Sequence, residues 1–385
     1  MIRIGYLIST LRKTGPTNVL KDIALGLDRK TYKPLIITLS PEGQRSLRNE
    51  FIKNKIEVIS LGMTRLEGLF SARKMVRDLI NEKGIDLLHS HGYRADLINS
   101  RLNKWVVTMS TLHNFGFDDF SMKYGAVLGY FVAKSHYSAL KRLRKVVACS
   151  ETILTLSYRK GLVTCFIRNG VNTSEFQPVS SEQQKVEIRE SLGLPEDGIV
   201  VVLVGDVRNL KNQEALIKGF LNSSASKQDI YLLVVGDGPD LSKCKNSARM
   251  SDRVLFAGRV ENVNPYLQAS DYFASPSLSE GMPISVLEAL SSGLPVLLSN
   301  IPQHQEIAKI CEDLVFLFDG SSEQSIRVFF EEFAKHTLFE MNEDTLIQVR
   351  EKLDVKTMVE EYSSLYQELL REEKKGEFAL KQKFK

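Results

Sequence analysis

The sequence contains few of the features that mark specialised classes of protein. Among its 385 residues only four are cysteines, and these lie far apart, at Cys149, Cys165, Cys244 and Cys311. Scattered cysteines exclude a disulfide framework and a clustered zinc site, and they are typical of the reducing cytoplasm. No apolar run reaches the ~20 residues that a membrane-spanning helix needs. Residues Met1–Leu7 enter a strand pattern at once, so we expect no signal peptide.

An excess of charge is also missing. Lysine and arginine together number 51 and aspartate and glutamate 47, which gives a formal net charge of +4. We therefore expect no nucleic-acid partner. Locally, basic residues gather between Lys134 and Lys145 and are interleaved with Phe131, Tyr137 and Leu140, and the tail after Arg371 is rich in lysine. These segments are either solvated surfaces or a site that contacts an anionic membrane surface.

Two motifs of nucleotide-dependent enzymes are absent as well. Neither half of the chain has the three spaced glycines of a dinucleotide-binding turn, which disfavours a nicotinamide dehydrogenase. No Asp-x-Asp pair follows a predicted strand, since Asp118 and Asp119 are adjacent and flanked by phenylalanine. We therefore expect a protein without a metal site and without another cofactor.

The chain does contain a regular alternation of apolar, β-branched runs with helical stretches, which predicts parallel sheets covered by helices. The predicted strands of the first half are Ile2–Leu7, Leu35–Leu39, Ile56–Ser60, Asp86–His89, Val106–Met109, Val146–Cys149 and Cys165–Arg168. Those of the second half are Ile199–Val204, Ile230–Val235, Val254–Ala257, Tyr272–Ser275, Val296–Leu298 and Leu314–Leu317.

The length and this repetition predict two α/β domains. We place the first at residues 1–171 and the second at residues 198–354, with an interdomain connection at 172–197 between them. Residues 355–385 form a closing helix and a basic tail. The apolar stripe of that helix, from Met358 to Leu370, has to pack on another element, and we expect it to return to the first domain.

The most informative segment places two glutamates, Glu280 and Glu288, eight positions apart across a junction of loop and helix. Gly281 lets the backbone approach a ligand, and Pro283 suits the first helical turn. The N–H groups of that turn favour an anion, and Glu288 borders the apolar face of the helix, where sugar hydroxyls would satisfy its carboxylate. By spacing alone, one solvated glutamate and one helix cap are the commoner arrangement.

Further candidates follow other predicted strands. Lys211 begins a helix after a strand that ends in glycine, where an ammonium group and backbone N–H groups can hold a diphosphate, unless Lys211 is an ordinary surface charge. Gly258–Val260 follows another strand and could reach a base. In the first domain, His89-Ser90-His91 and His113 follow strands and face either the ligand crevice or the core. No similar argument for contact with a ligand applies to His136, His304 or His336, and we expect His336 at the surface.

In their order and spacing these motifs resemble the family 4 retaining glycosyltransferases of GT-B fold, over nearly the whole chain. The strongest likeness is to that family's Glu-x7-Glu element, here Glu280–Glu288 preceded by Pro276-Ser277. The other similar segments are Cys149–Glu151, Ile167–Asn172 with Phe176 and Pro178, and Val235–Pro239. The resemblance implies two tandem Rossmann-like domains with doubly wound parallel sheets.

The resemblance also implies a role for each candidate residue. Glu280 would hold the donor's sugar and phosphates, Lys211 would neutralise the leaving diphosphate, and His113 would face the transferred sugar. The implied donor-binding residues are Gly15 near the phosphates, Gly258, Arg259 and Val260 at the base, Gly281, Met282, Pro283 and Ile284 at the sugar and phosphates, and Glu288 at the ribose.

The chain departs from the family pattern at two places. Gly205-Asp206 stands where the family usually has Gly-Arg, and an acidic group repels a diphosphate, so either Arg208 substitutes as a donor-binding residue or Asp206 points away. Gly15-Pro16 stands where paired glycines are common, which makes a close backbone approach to the phosphate less assured. Both departures bear on the affinity and identity of the donor more than on the reaction class.

The implied reaction is a metal-independent hexosyl transfer, with retained anomeric configuration, from a UDP- or GDP-linked sugar to an acceptor hydroxyl. We expect a glycan or lipid-linked oligosaccharide of cell-surface polysaccharide assembly as acceptor, and a cytoplasmic enzyme at the inner face of the membrane. Two alternatives stay open. One is a nucleotide-sugar epimerase of the same fold, which needs no acceptor. The other is a non-catalytic nucleotide-sugar-binding protein, which Asp206 makes conceivable.

Overall fold

The computed structural model describes residues 1–64, 67–335 and 342–383. His336, which we expect at the surface, and the last two residues of the basic tail lie outside this part of the chain. The described residues form two compact units: residues 1–170 with the segment that begins at Val355, and residues 171–354. The predicted connection, residues 172–197, lies within the second unit.

The first unit is built on a parallel sheet with the strand order β3-β2-β1-β4-β5-β6-β7. Its strands are β1 (Ile2–Ile8), β2 (Tyr32–Thr38), β3 (Glu57–Ser60), β4 (Leu87–His91), β5 (Val107–Leu112), β6 (Lys145–Ala148) and β7 (Cys165–Phe166). The connecting helices are α1 (Gly15–Gly26), α2 (Arg48–Lys53), α3 (Glu67–Phe70), α4 (Ala72–Lys83), α5 (Tyr93–Asn99), α6 (Gly116–Tyr124), α7 (Ala126–Leu140) and α8 (Glu151–Arg159). Successive residues of β4 are all buried, so both faces of the sheet are covered there.

The second unit repeats this plan with the strand order β10-β9-β8-β11-β12-β13. Its strands are β8 (Ile199–Val204), β9 (Ile230–Val235), β10 (Val254–Gly258), β11 (Tyr272–Ser275), β12 (Val296–Ser299) and β13 (Val315–Phe318). Its helices are α9 (Glu182–Leu192), α10 (Gln213–Leu221), α11 (Leu241–Ala248), α12 (Asn264–Gln268), α13 (Ile284–Ser291), α14 (Pro302–Ile310), α15 (Glu323–Phe333) and α16 (Glu343–Leu353). The prediction of two doubly wound parallel sheets is therefore confirmed.

In each sheet the strand order reverses at one point, between β1 and β4 and between β8 and β11. The chain first adds strands on one side of the central strand and then on the other. The loops after the two strands at this point therefore diverge and leave a crevice at the carboxyl edge of the sheet. In the second sheet the reversal is fixed by the pairing of Tyr272 with Val201 and of Phe273 with Val202.

The polar helix α9 is held to the rest of the second unit by ion pairs. Arg189 is almost fully buried, pairs with Asp271 at 2.7 Å and donates to the carbonyl of Ala269 at 2.8 Å. Lys185 pairs with the same carboxylate at 2.6 Å. The polar composition of residues 172–197 predicts an interdomain connection, but α9 in this segment packs on the second unit through ion pairs.

The closing helix α17 (Val355–Lys383) packs on the first unit, as expected. Its stripe of Met358, Tyr362, Leu365 and Leu369 is buried. The Tyr366 hydroxyl shares hydrogen bonds with His89 Nδ1 at 2.8 Å and with the Tyr6 hydroxyl at 3.2 Å. The helix thus supplies polar as well as apolar partners to the sheet. None of the described helices combines the length and the apolar character needed to span a membrane.

The basic helix of the first unit differs from the expectation in one respect. Tyr137 and Leu140 on α7 are buried, at 3% and 0% exposure, and only Phe131 of the three interleaved apolar residues is exposed. Of these three side chains only Phe131 can take part in a solvated or membrane-contacting surface, because Tyr137 packs against Phe115 and Phe117 in the interior.

Close packing of α6 against α7 depends on Gly129. A Cβ atom at this position would lie 2.4 Å from the Phe120 carbonyl oxygen and 2.4 Å from the Ser121 Cα, both backbone atoms of α6. Since backbone atoms cannot rotate away, any side chain at residue 129 has to separate the two helices.

We predict that Gly129→Ala destabilises the protein by about 1–3 kcal/mol, the usual cost of overpacking. In an exposed helix the same change would stabilise by ~1 kcal/mol, because alanine is the better helix former. The measurement is the midpoint of thermal or urea unfolding, with Ser138→Ala on the exposed side of α7 as control. A Gly129→Ala protein as stable as the wild type would show that the two helices do not pack as closely as described.

Candidate functional site

Two residues far apart in sequence, Lys211 and Glu280, meet at the reversal point of the second sheet. Lys211 lies at the end of a short 3-10 turn, Asn209–Lys211, in the loop after β8, and Glu280 lies in the loop after β11. Lys211 Nζ and Glu280 Oε1 are 2.5 Å apart. The Leu278 N–H donates to the Leu210 carbonyl at 2.9 Å, so backbone as well as side chains join the two loops.

The local geometry explains why Lys211 points to this crevice. Asn212 follows with a φ of +56°, a left-handed conformation that asparagine tolerates better than most residues. It separates the 3-10 turn from α10 and donates through its side chain to the Gly320 carbonyl at 3.1 Å. The turn therefore ends at Lys211 and holds the lysine stem beside the loop of Glu280.

The carboxylate of Glu280 is nearly buried and is kept ionised by its neighbours. Burial raises its pKa, but the charge of Lys211, the nearby His304 and hydrogen bonds from Lys211 and Ser277 outweigh burial, so the pKa of Glu280 lies below its ordinary value. An ammonium group has three N–H donors, and Glu280 occupies one of them. Lys211 can therefore keep this pair and also bind an anionic ligand.

His304 is a part of this site that no sequence motif marks. It is fully buried on α14 and shares a 2.8 Å hydrogen bond from its Nδ1 to the carbonyl of Ser299, while the Ser299 hydroxyl donates to the carbonyl of Ser277 at 2.5 Å. Burial lowers its pKa to about 4, although the charge of Glu280 opposes this shift. The only sequence signal was its position just after β12, the strand beside β11.

The helix that begins at Ile284 carries the rest of the predicted element. Pro283 is extended, with φ −73° and ψ 110°, and directly precedes α13 instead of lying in its first turn. The Val286 and Leu287 N–H groups bond to the Pro283 carbonyl. Gly281 and Met282 are buried beside Glu280, whereas Glu288 is half-buried on the second turn. The N–H groups of the first turn thus follow directly on the loop that carries Glu280.

Asp206, which stands where the family pattern usually has arginine, has a cationic partner. The Asp206 carboxylate lies 3.7 Å from Nη2 of Arg259, which follows β10. The loops are drawn together by a 2.7 Å hydrogen bond from the Gly236 N–H to the Gly258 carbonyl, and a Cβ at Gly236 would lie 1.9 Å from the Gly205 carbonyl oxygen. Asp206 is therefore next to a cation, and the half-buried Arg259 side chain adjoins the residues predicted to border the base. Arg208 is exposed.

Two of the predicted residues, Gly15 and His113, belong to the first unit. Gly15 is exposed at the start of α1. His113, after β5, shares a 2.9 Å hydrogen bond with His91 at the end of β4, and the two imidazole rings stack at 5.2 Å. His89 lies beneath His91 at 4.3 Å. These strand-end histidines therefore form one stack, of which His113 is the least buried.

Burial keeps this histidine stack neutral. It lowers the pKa of His113 to about 4 and that of His89 to about 3, and it lowers the pKa of His91 well below the ordinary value. Neutral imidazoles can share the hydrogen bond between His91 and His113, in which one ring must donate and the other accept. Within residues 1–64, 67–335 and 342–383, no group of three or more His, Cys, Asp or Glu side chains is arranged to hold a metal ion.

Comparison with known proteins agrees with this architecture. A family model described as "Glycosyltransferase Family 4" matches residues 14–175, and one described as "Glycosyl transferases group 1" matches residues 198–327. The crystal structure of HepE from Anabaena in complex with UDP and glucose is similar, with a TM-score of 0.78 at 18% identity, over 96% of this chain and 100% of that chain. The fold is therefore GT-B.

Two curated relatives are both from Escherichia coli. The O-antigen biosynthesis glycosyltransferase WclY is 22% identical, over 96% of this chain and 99% of its own length. The UDP-Gal:alpha-D-GlcNAc-diphosphoundecaprenol alpha-1,3-galactosyltransferase is 28% identical, over 66% of this chain and 67% of its own length. With one family model on each half, the chain belongs to the glycosyltransferases of the family 4 type.

The depressed pKa of Glu280 predicts a specific pH dependence of stability. Because the pKa is lower in the folded state than its ordinary 4.5, the ionised carboxylate stabilises the fold above that pH, and this contribution is lost as the pH falls through the folded value. The difference in unfolding free energy between wild type and Glu280→Gln should be constant from pH 6 to 8 and shrink below about pH 4.5.

Urea unfolding at a series of pH values measures this difference. Glu312→Gln, at an exposed carboxylate of the same unit, is the control and should show little difference at any pH. An equal effect of Glu280→Gln at pH 7 and pH 4 would mean that the pair with Lys211 does not depress the pKa of Glu280.

Proposed function

We propose that this glycosyltransferase moves a hexosyl unit from a nucleoside diphosphate sugar to a lipid-linked glycan, with retention of the anomeric configuration and without a metal ion. The observation that carries the proposal is the pair of Lys211 and Glu280 at the reversal point of the second sheet, directly before the N-terminus of α13. A cation, a carboxylate and the N–H groups of a helix N-terminus are the partners that a diphosphate joined to a sugar requires.

The donor is a nucleoside diphosphate sugar, and we favour a UDP-sugar. HepE has been crystallised with UDP and glucose, and the name of the galactosyltransferase relative specifies UDP-Gal as its donor. In this chain the loops after β8 and β10 would border the base and the phosphates, with the Arg259–Asp206 pair at their junction. Glu288, half-buried on α13, would accept hydrogen bonds from the ribose hydroxyls.

Negative charge builds up on the departing β-phosphate during transfer. The Lys211 ammonium and the N–H groups near Met282 would oppose this charge, and each well-placed donor contributes ~3 kcal/mol to lowering the barrier. Glu280 would hold both Lys211 and the sugar, since a carboxylate accepts several hydrogen bonds. Because the leaving phosphate can itself take the acceptor proton, we infer a front-side displacement in which no covalent enzyme intermediate forms.

The acceptor is a lipid-linked glycan used in cell-surface polysaccharide assembly. The relatives that support this proposal are named for O-antigen biosynthesis and for a diphosphoundecaprenol acceptor. All four cysteines are free, which suits a cytoplasmic enzyme, and the acceptor would be reached at the inner face of the membrane. His113, at the exposed end of the histidine stack, would face the transferred sugar as a neutral hydrogen-bonding group.

The two alternatives receive less support. A nucleotide-sugar epimerase would need no acceptor, and neither matching family model is described as an epimerase. A non-catalytic binding protein was conceivable because Asp206 repels a diphosphate, but Asp206 has a cationic partner in Arg259. Incubation with a nucleotide sugar alone separates the cases, since only an epimerase changes the sugar without an acceptor.

We predict that Lys211→Ala lowers turnover by about 10²–10³-fold, the usual effect of removing one donor to a developing negative charge. Release of nucleoside diphosphate in the presence of acceptor and EDTA is the measurement, and wild-type activity should persist in EDTA. Lys218→Ala, which removes a surface lysine of the same unit, should leave turnover unchanged. Since Lys211→Ala leaves a nearly buried carboxylate unpaired, the melting temperature of this variant tests whether lost folding explains the effect.

We also predict that UDP raises the melting temperature of the wild-type protein by mass action. A thermal-shift screen of UDP, GDP and ADP should rank UDP first. Lys211→Ala should reduce the shift, while His113→Ala, in the other unit, should leave the shift with UDP unchanged. A ranking headed by GDP would change the donor, and no shift with any of these diphosphates would contradict the nucleotide site.

A further inference from the structure

The hairpin of α6 and α7 exposes an unusual set of large apolar side chains. Every residue from Met122 to Leu128 is exposed, and this run contains a single charge, Lys123. Val127, Phe131 and Leu128 are 74%, 61% and 57% exposed. We use the term hairpin face for the exposed side chains Met122, Tyr124, Val127, Leu128, Tyr130 and Phe131.

The hairpin face is a continuous surface. The Tyr130 ring lies 5.8 Å from that of Phe131 and 5.8 Å from that of Phe117, so the two helices contribute to one patch. The other side of α7 is already used, since Ala133, His136 and Leu140 are buried. A helix that is apolar on both sides needs a second apolar environment. Large contiguous apolar patches on a protein surface mark interaction sites.

The charged residues of the segment that carries the hairpin face are of one sign. Residues 121–145 contain six basic residues and no acidic residue. The six are Lys123, Lys134, Lys141, Arg142, Arg144 and Lys145. Lys123 Nζ lies 5.1 Å from the centre of the Tyr124 ring, which places a cation directly beside an aromatic ring of the hairpin face. Arg144 also pairs with Glu372 at 2.8 Å.

Acidic residues lie at the opposite end of α6. Asp118 and Asp119 are in its first turn, whereas the hairpin face begins near its last turn. Burial raises the pKa of Asp118, and the charge of Lys160 opposes this. The acidic pair is thus separated along the helix from the exposed apolar tip, where Lys123 lies.

We propose that the hairpin face is a membrane-docking surface that inserts its apolar and aromatic side chains into an anionic lipid bilayer. Apolar insertion and attraction of lysines to anionic headgroups are the two contributions that stable peripheral binding requires together. Tyrosine and phenylalanine with flanking lysines suit the boundary between headgroups and acyl chains. A second copy of the chain is a poorer partner, because it would bring the same positive charges to the contact.

This inference rests on the proposed function only for its biological purpose, since a lipid-linked acceptor lies in such a bilayer. The binding itself does not depend on transfer. Membrane binding and catalysis can therefore be measured separately, and the failure of one does not imply the failure of the other.

The test is flotation of the full-length protein with vesicles of phosphatidylglycerol and phosphatidylcholine. Wild type should float with these vesicles and much less with pure phosphatidylcholine. Leu128→Ser with Phe131→Ser should reduce the bound fraction by about tenfold or more, because each side chain contributes apolar area to insertion. The matched control is Val328→Ser with Ile347→Ser, two exposed apolar residues of the second unit, which should float like wild type.

Two further measurements keep the result interpretable. The melting temperature of the hairpin variant should equal that of wild type, and its UDP-induced thermal shift should be unchanged, because neither residue lies in the candidate donor site. Failure of wild type to bind anionic vesicles, or equal binding by wild type and hairpin variant, would overturn the proposal. Light scattering that shows a wild-type dimer and a monomeric hairpin variant would also overturn it, in favour of contact between two copies.

Discussion

The ionised carboxylate of Glu280 is the constraint on which the second unit's site depends. A charge removed from water has to be paired, and the available cation, Lys211, is 69 residues away in sequence. The two can meet because β8 and β11 are neighbours at the point where the strand order reverses. The same topology that opens a crevice in a doubly wound sheet thus also brings together the groups that occupy it.

The loops around the Lys211–Glu280 pair are held in place by a chain of hydrogen bonds. Ser277 supports Glu280, Ser299 bonds to Ser277, and His304 bonds to Ser299. Each of these residues follows or ends one of two adjacent strands, β11 and β12. A ligand that engages Lys211 and Glu280 therefore meets loops already fixed by hydrogen bonds, which reduces the ordering that binding would otherwise have to impose.

The sequence was sufficient to predict the elements of the fold. Each predicted strand overlaps an observed strand. A parallel strand that is buried on both faces has a continuous run of apolar, β-branched residues, and this run can be recognised without knowing which strands pair. The return of α17 to the first unit also followed from its apolar stripe. Glu280 and Lys211 could be proposed as site residues because each follows a predicted strand, with Gly281 beside Glu280 and Gly205 at the end of the strand before Lys211.

The contacts between side chains could not be predicted from the sequence. His304 has no motif around it, and its closeness to Glu280 arises from the pairing of β11 with β12. Tyr137 and Leu140 stand among basic residues in the sequence, but the close contact of α6 at Gly129 determines which side of α7 is buried. The contact of His91 with His113 depends on the register of β4 against β5. Each of these side-chain contacts depends on the tertiary structure, which cannot be deduced from the pattern of a single sequence.

The return of α17 has a consequence for how the chain is made. Tyr362 and Tyr366 are hydrogen-bond partners of Thr111 and His89 in the first sheet. During synthesis on the ribosome, Thr111 and His89 of the first sheet therefore lack these partners until α17 has emerged. The intervening half is continuous in sequence and can fold as soon as it leaves the exit tunnel. Residues 1–170 are thus translated before residues 171–354, but the first unit is completed after the second.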